Sequence, residues 1–228
     1  AAEIVPRKGN NEYAAEVVTE FVKRTGYKRI ILKSDQEPSI MALKDAANAM
    51  LPNVNVTLEL TPVGESSSNA VVESQIRRTT ALTRVLKTCL ETKLKKTVSG
   101  EMIIVPWLVR HAAQIFNYFR KNDEGKTPWE IEKGRSFNKT IAIVGESVWF
   151  LLPKSIGKNK LDVRWASGIW LGVHEDAGEY LLGTRHGVAK ARSFKRKSTD
   201  NDRWSYDELC SIKGTPWEPY PGDSLTYK

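Results

Sequence analysis

"KRIILKSDQEPSI" occupies residues 28–40. Its apolar run at 30–32 ends in Ser34 and Asp35. Pro38 then turns the chain into "PSIMALKDAANAML", a helical pattern opening on a favoured first-turn proline. Asp35 or Ser39 reads as a cap for that helix. An acidic residue where a buried strand opens into a turn also suits a metal ligand at a strand's C-terminal end. Only a partner elsewhere in the chain decides between the two.

Outward from this stretch the periodicity is clear. "NEYAAEVVTEFVKRTG" (11–26) puts Ala14, Val17, Val18, Phe21 and Val22 on one helical face, with Gly26 as the stop. After Pro52, "NVNVTLEL" (53–60) alternates, with Val54, Val56, Leu58 and Leu60 on one side, as a strand does. "TPVGESSSNA" (61–70) is a polar, mobile loop. Residues 71–96 are helical, with Val72, Ile76, Leu82, Val85, Leu86, Cys89, Leu90 and Leu94 apolar, and a further helix covers 102–121. Helix, strand, helix, strand, loop, helix is an α/β layered domain entered part-way through. From Gly145 the chain changes to short β-rich runs, "ESVWFLLP", "DVRWASGIWLGVH", "EYLLGTRHG" and "VAKARSFKRK", which predict a small barrel. The expected organisation is an α/β core at 1–100, a helical extension and linker at 101–144, a β domain at 145–200 and an irregular tail at 201–228. Trp107, Trp149, Trp165 and Trp170 are expected in the core, His111 as a core histidine and Cys89 as a buried thiol.

The chain has 228 residues, 40% of them hydrophobic and 27% charged, so a packed core is expected. Its net charge is +8, and the excess is concentrated. Residues 76–100 carry 7 Lys/Arg against 1 Asp/Glu, and residues 181–203 carry 7 against 2. Two such blocks point to a polyanionic partner, although either alone reads equally well as a solvated face. The two cysteines, Cys89 and Cys210, form no Cys-x-x-Cys pair, which argues against structural zinc and for a reducing compartment with both thiols buried. No segment reads as a membrane span or a signal peptide. The opening "AAEIVPRKG", without Met, reads as a piece cut from something longer.

The partner for Asp35 is Glu73, one turn inside the long helix and just past the Ser-rich loop. A strand-end Asp and a helix-borne Glu fit two-metal phosphoryl chemistry, which holds two divalent ions about 3.5–4 Å apart with carboxylates from different elements. Hard oxygen ligands suit Mg²⁺ or Mn²⁺. Arg77, at i+4 from Glu73, shares its helical face and could hold a DNA phosphate; Arg78, Arg84 and Lys87 lie near that stripe. Asn69 reads as a brace for the loop or as a helix cap. Arg192, Lys195, Arg196 and Lys197 form a second candidate phosphate-binding face.

"KSDQEPSI" followed by "SSSNAVVESQIRR" resembles the second half of a retroviral or retrotransposon integrase catalytic core. That core has an RNase H-like fold with a D-D-E triad. Asp35 matches the second Asp, Glu73 the Glu, and residues 66–73 the S-x-x-x-N-G-x-x-E loop, with Ala70 in place of Gly. The two acids lie 38 positions apart, slightly beyond the commonest retroviral spacing. "TPWEIEKGRSFNKTIAIVGESVWFLLP" and "WASGIWLGVHEDAGEYLLGTRHGVAKARSFKR" are similar to the stretches that follow the core in Copia-type (Pseudoviridae) Pol polyproteins. The resemblance covers roughly residues 1–200.

The resemblance implies a partial RNase H-like core missing its first strands, followed by a small SH3-like β-barrel. It implies DNA integration (3′-end processing and strand transfer) with two Mg²⁺ or Mn²⁺ ions. Asp35 and Glu73 would be catalytic metal ligands. Expected partners are double-stranded DNA and further copies of the chain, and the setting is nuclear or cytoplasmic, in a particle or pre-integration complex. None of Glu3, Glu12, Glu16 and Glu20 sits where the family's first Asp belongs, and its His/Cys zinc domain is missing. The chain is therefore expected to be an N-terminally truncated fragment that holds metal poorly and catalyses almost nothing alone. The competing reading is a catalytically inactive DNA-binding or assembly remnant of a transposable element. A different RNase H-like nuclease is a third, disfavoured by the Copia-like linker.

Overall fold

The computed structural model describes residues 2–9, 11–61, 69–152, 159 and 161–222. Its contacts divide the chain into two compact units, 1–79 and 80–228.

The first unit contains α1 (Glu12–Thr25), β1 (Arg29–Ser34), α2 (Pro38–Ala49) and β2 (Asn55–Leu60), followed by the start of α3 (Ala70–Leu94). Helix α1 begins where the Asn11 side chain accepts from the Ala14 N–H at 2.8 Å. It ends at Gly26, whose left-handed backbone (φ 72°) lets its N–H reach Lys23 O. Strands β1 and β2 pair in parallel, from Arg29 opposite Asn55 to Ser34 opposite Leu60, with α2 as the crossover. Ala14, Ala15, Val22, Ala47 and Leu51 form a small buried set. The buried strand expected at 28–34 is instead half-exposed, because its residues alternate and Ile31 remains 63% exposed. Phe21, expected on the inner face of α1, is also exposed.

The second unit holds the rest of α3, α4 (Ile104–Phe119), α5 (Pro128–Lys133), β3 (Ser147–Leu151), β4 (Trp165–Val173), β5 (Tyr180–Thr184), β6 (Gly187–Ala191), β7 (Phe194–Arg196), α6 (Asp200–Arg203) and α7 (Tyr206–Ser211). The five strands form one antiparallel sheet in the order β6-β5-β4-β3-β7. Only Arg192 and Ser193 separate β6 from β7, so the sheet curls strongly. Among the described residues, however, no ladder joins these two edges. The expected barrel is therefore corrected to an open sheet, since closure needs that missing pairing.

One core runs through this unit. Leu90 and Leu94 of α3, Ile104, Trp107 and Leu108 of α4, and Ala142 and Val144 join Phe150, Trp170, Leu171 and Leu182 of the sheet. Residues of the 101–144 segment thus belong to the same core as the strands. Gly145 turns the chain into β3 at φ 90°, and a Cβ there would lie 2.7 Å from Leu90 Cδ1. Only glycine accepts both the conformation and the contact. The "TPWE" motif has a local role. Thr127 and Glu130 form a reciprocal capping box, Pro128 begins α5, and Trp129 packs edge-on against Tyr118 and Phe137, which stack 3.8 Å apart.

Trp107 and Trp170 are buried as expected, whereas Trp149 is exposed and Trp165 half-buried. Cys89 is half-buried and Cys210 exposed, a correction to the expectation of buried thiols. Leu90 and Leu94 are the buried end of the α3 stripe, while Val72, Ile76 and Val85 are exposed. No helix among the described residues is long and apolar enough to cross a membrane.

His111 is the core histidine its surroundings predict. It lies 5.0 Å from Trp170, edge to face, and burial lowers its pKa from 6.5 to about 4, opposed by a hydrogen bond with Gln114. Between those two values the unfolded chain binds a proton that the folded chain excludes. Stability from this group is complete above pH 6.5 and falls as pH drops, by about 3 kcal/mol at pH 4. Urea unfolding across this window should show a shallower pH dependence for His111→Phe than for the wild type. Equal slopes would contradict the assignment.

Candidate functional site

The parallel pairing of β1 and β2 brings Ser34 and Leu60 side by side, and the next residues continue the link. The Thr61 N–H donates to Ser34 O at 2.9 Å, and Thr61 O accepts from Gln36 Nε2 at 3.1 Å. The buried Thr61 hydroxyl donates to Asn69 Oδ1 at 3.0 Å, and Asn69 Nδ2 donates to the Asp35 carboxylate. The polarity is consistent throughout: an ionised carboxylate only accepts, so the amide turns its NH₂ to Asp35 and its oxygen to the hydroxyl.

One of the two readings of Asp35 in the sequence, the helix cap, is excluded. The N-cap of α2 is Glu37, with no side-chain cap bond, so neither Asp35 nor Ser39 caps that helix. The Ser39 hydroxyl donates to Glu37 at 2.7 Å, and Lys8 lies 2.6 Å from the same oxygen. Those two hydrogen bonds, Lys8 foremost, hold Glu37 below the usual carboxylate range. Glu59 pairs with Lys33 at 2.9 Å. Among the described residues, Asp35 and Glu73 have no ion-pair partner.

Asn69 immediately precedes α3, and Glu73 is exposed in the first turn of that helix. Asn69 therefore ties the strand-end acid to the start of the helix bearing the second acid. Residues 66–68 of the catalytic-loop motif, with 62–65 before them, lie outside the described residues. Both acids face solvent, and both offer hard oxygen donors of the kind Mg²⁺ and Mn²⁺ prefer. Among the described residues, no group of three or more His, Cys, Asp or Glu side chains is placed to hold a metal ion.

The basic candidates divide by how they are engaged. Arg77, Arg78 and Arg84 are exposed on α3, whereas Lys87 pairs with Glu91 at 2.7 Å. Arg192 and Lys195 are exposed. Arg196 Nε lies 3.5 Å from the buried Glu146 carboxylate and Nη2 donates to Ile141 O at 3.3 Å. Lys197 donates to Glu208 at 3.2 Å. Glu208 also accepts from the hydroxyls of Ser147 and Ser167. Burial opposes its ionisation, but those hydroxyls and Lys197 outweigh it and hold Glu208 below its usual range. Thr61, Glu146 and Glu208 were not singled out in the sequence. A Thr directly after an alternating strand is a usable signal for the first; nothing local marks the two acids.

The Asp35–Asn69 contact should register as energetic coupling. Asp35→Ala and Asn69→Ala are each expected to cost about 1 kcal/mol in urea unfolding. The double variant should be non-additive by at least about 0.5 kcal/mol. Strict additivity would show that the contact carries no coupling.

No family model matches the chain, and no curated protein matches its sequence. Among solved structures, it is similar to a chain in the cryo-electron-microscopy structure of the simian T-cell lymphotropic virus intasome in complex with PP2A regulatory subunit B56 gamma. The identity is 13% and the TM-score 0.34, over 83% of this chain. The chain spans 66% of that chain's length.

Proposed function

We propose that this chain is a Copia-type retrotransposon integrase segment, with an RNase H-like catalytic core represented by its first unit. The observation that carries the reading is the Thr61–Asn69–Asp35 network, which joins the end of the parallel strands to the helix bearing Glu73. It gives a structural reason for the S-D, loop Asn and helix Glu that make up the sequence resemblance.

Asp35 and Glu73 would hold divalent cations, with a further carboxylate needed to complete a two-ion site. Bound there, Mg²⁺ or Mn²⁺ would supply Lewis acidity to the phosphoryl oxygens and lower the pKa of the attacking water or 3′-hydroxyl. Asn69 holds the Asp35 carboxylate in one orientation through a donor that adds no competing positive charge. Arg77, one turn beyond Glu73 on an exposed face, would take a DNA phosphate. Arg78, Arg84, Arg192 and Lys195 would add contacts to the backbone of element-end or target DNA. Binding of this kind tolerates sequence and weakens with salt.

The test is Mg²⁺-dependent strand transfer of a labelled element-end duplex by the protein that carries this chain. Asp35→Asn and Glu73→Gln should each reduce transfer at least about a hundredfold while leaving duplex binding largely intact. Arg77→Ala should weaken duplex binding and lower the slope of log affinity against log salt by about one. Transfer at the wild-type rate in both carboxylate variants would refute the catalytic assignment. Duplex binding without any transfer by the unsubstituted protein would favour the inactive DNA-binding remnant.

A further inference from the structure

Strand β3 turns Val148 and Phe150 into the core and Trp149 and Leu151 outward, leaving Trp149 43% exposed. The ladders place Trp149 opposite both Ser167 of β4 and Lys195 of β7, and Leu151 opposite Trp165. One open face therefore carries Trp149, Leu151 and Trp165. Trp149 and Trp165 are diagonal cross-strand neighbours, a relation that separates residues by about 7–8 Å. Lys195 Nζ lies 4.9 Å from the Trp165 ring centroid, and Lys197 Nζ lies 5.0 Å from that of Trp149. An ammonium group thus lies over each of these indoles.

We infer that this face binds single-stranded nucleic acid, with unpaired bases stacking on Trp149 and Trp165 while lysines contact the adjoining phosphates. Charge selects a polyanion: although Arg196, Lys197 and Arg203 are engaged by acids, Lys195 stands on this face over Trp165 and Arg192 is exposed nearby in sequence. The indoles select the unpaired form: a duplex buries its base faces in its own stack, whereas an unpaired base offers a π-face to any exposed ring. Lysine over a solvent-exposed ring is a weaker interaction than a base stacked on it, so the exchange is downhill. Lys195 has no acidic partner among the described residues and can move to a phosphate. Lys197, held by Glu208, lies over one face of Trp149, so a base would stack on the opposite face of that ring. This inference deepens the nucleic-acid reading above by naming a single-stranded ligand, and it uses neither Asp35 nor Glu73.

The experiment measures anisotropy of labelled oligo(dT) and of a duplex of equal charge, with the full 228-residue chain. The chain should bind oligo(dT) more tightly, with quenched tryptophan emission. The pair Trp149→Ala and Trp165→Ala should lower oligo(dT) affinity on the order of tenfold or more and leave duplex affinity nearly unchanged. The corresponding Phe pair should recover most of the loss, because it keeps a ring for stacking. Lys195→Ala should weaken both ligands and lower the salt slope by about one. Thermal melts establish that each variant is folded; if the Ala pair is not, wild-type quenching and the Phe pair decide. Equal affinity for both ligands, an equal fall for both in the Trp variants, or no binding of oligo(dT) would each overturn the inference. The last is the result an acidic protein partner would give. Strand transfer lost in Asp35→Asn alongside unchanged oligo(dT) binding separates the two readings, as does the reverse.

Discussion

Asn69 has an amide with two ends, and both are engaged: its NH₂ donates to the Asp35 carboxylate and its oxygen accepts from the Thr61 hydroxyl. Thr61 in turn connects by backbone to Ser34 and Gln36. Four hydrogen bonds therefore satisfy polar groups at the ends of two parallel strands, in a place where a turn would otherwise leave them to water. The consequence for function is orientation. An exposed carboxylate without a cation beside it, held by a neutral donor, keeps its charge available to a ligand from solvent.

The second unit handles acidity in the opposite way. Glu146 is buried and faces the guanidinium groups of Arg196 and Arg203, at 3.5 and 3.9 Å. Glu208 is closed in by two hydroxyls and Lys197. These acids pin the short strand β7 and the residues after it to the sheet, engaging part of the basic block internally. Enclosing a carboxylate is costly without partners, and these acids find theirs within the unit: Arg196 and Arg203 near Glu146, the hydroxyls and Lys197 at Glu208. What remains outward on β7 is Lys195, beside Trp165 and opposite Trp149. The division of labour within "SFKRK" thus follows from strand alternation: Phe194 and Arg196 point to one side, Lys195 to the other.

Much of this was legible in the sequence, and the failures have physical causes. The helix and strand order of the first unit follows from periodicity, and Asp35 and Glu73 stand out through local cues, a strand end and a Ser-rich loop before a helix. Thr61 did not, because its role exists only once two strands are aligned in register. The sequence points Trp149 to the core because "SVWFL" is apolar at nearly every position. Period-two alternation then carries no polarity signal, and either face can be the inner one. The barrel is not legible for a related reason: short strands and turns are readable locally, whereas closure depends on whether two edges pair. Cys210 lies in a short helix at the surface, where the scarcity of cysteine elsewhere in the chain says nothing about exposure.

The most direct measurement is paramagnetic broadening of backbone amide signals by substoichiometric Mn²⁺. If the Asn69 joint brings the two acids into one cation-attracting site, the amides of Asp35, Asn69 and Glu73 should broaden first and together, and excess Mg²⁺ should restore them. Broadening confined to one acid, or centred on unrelated carboxylates, would contradict the account.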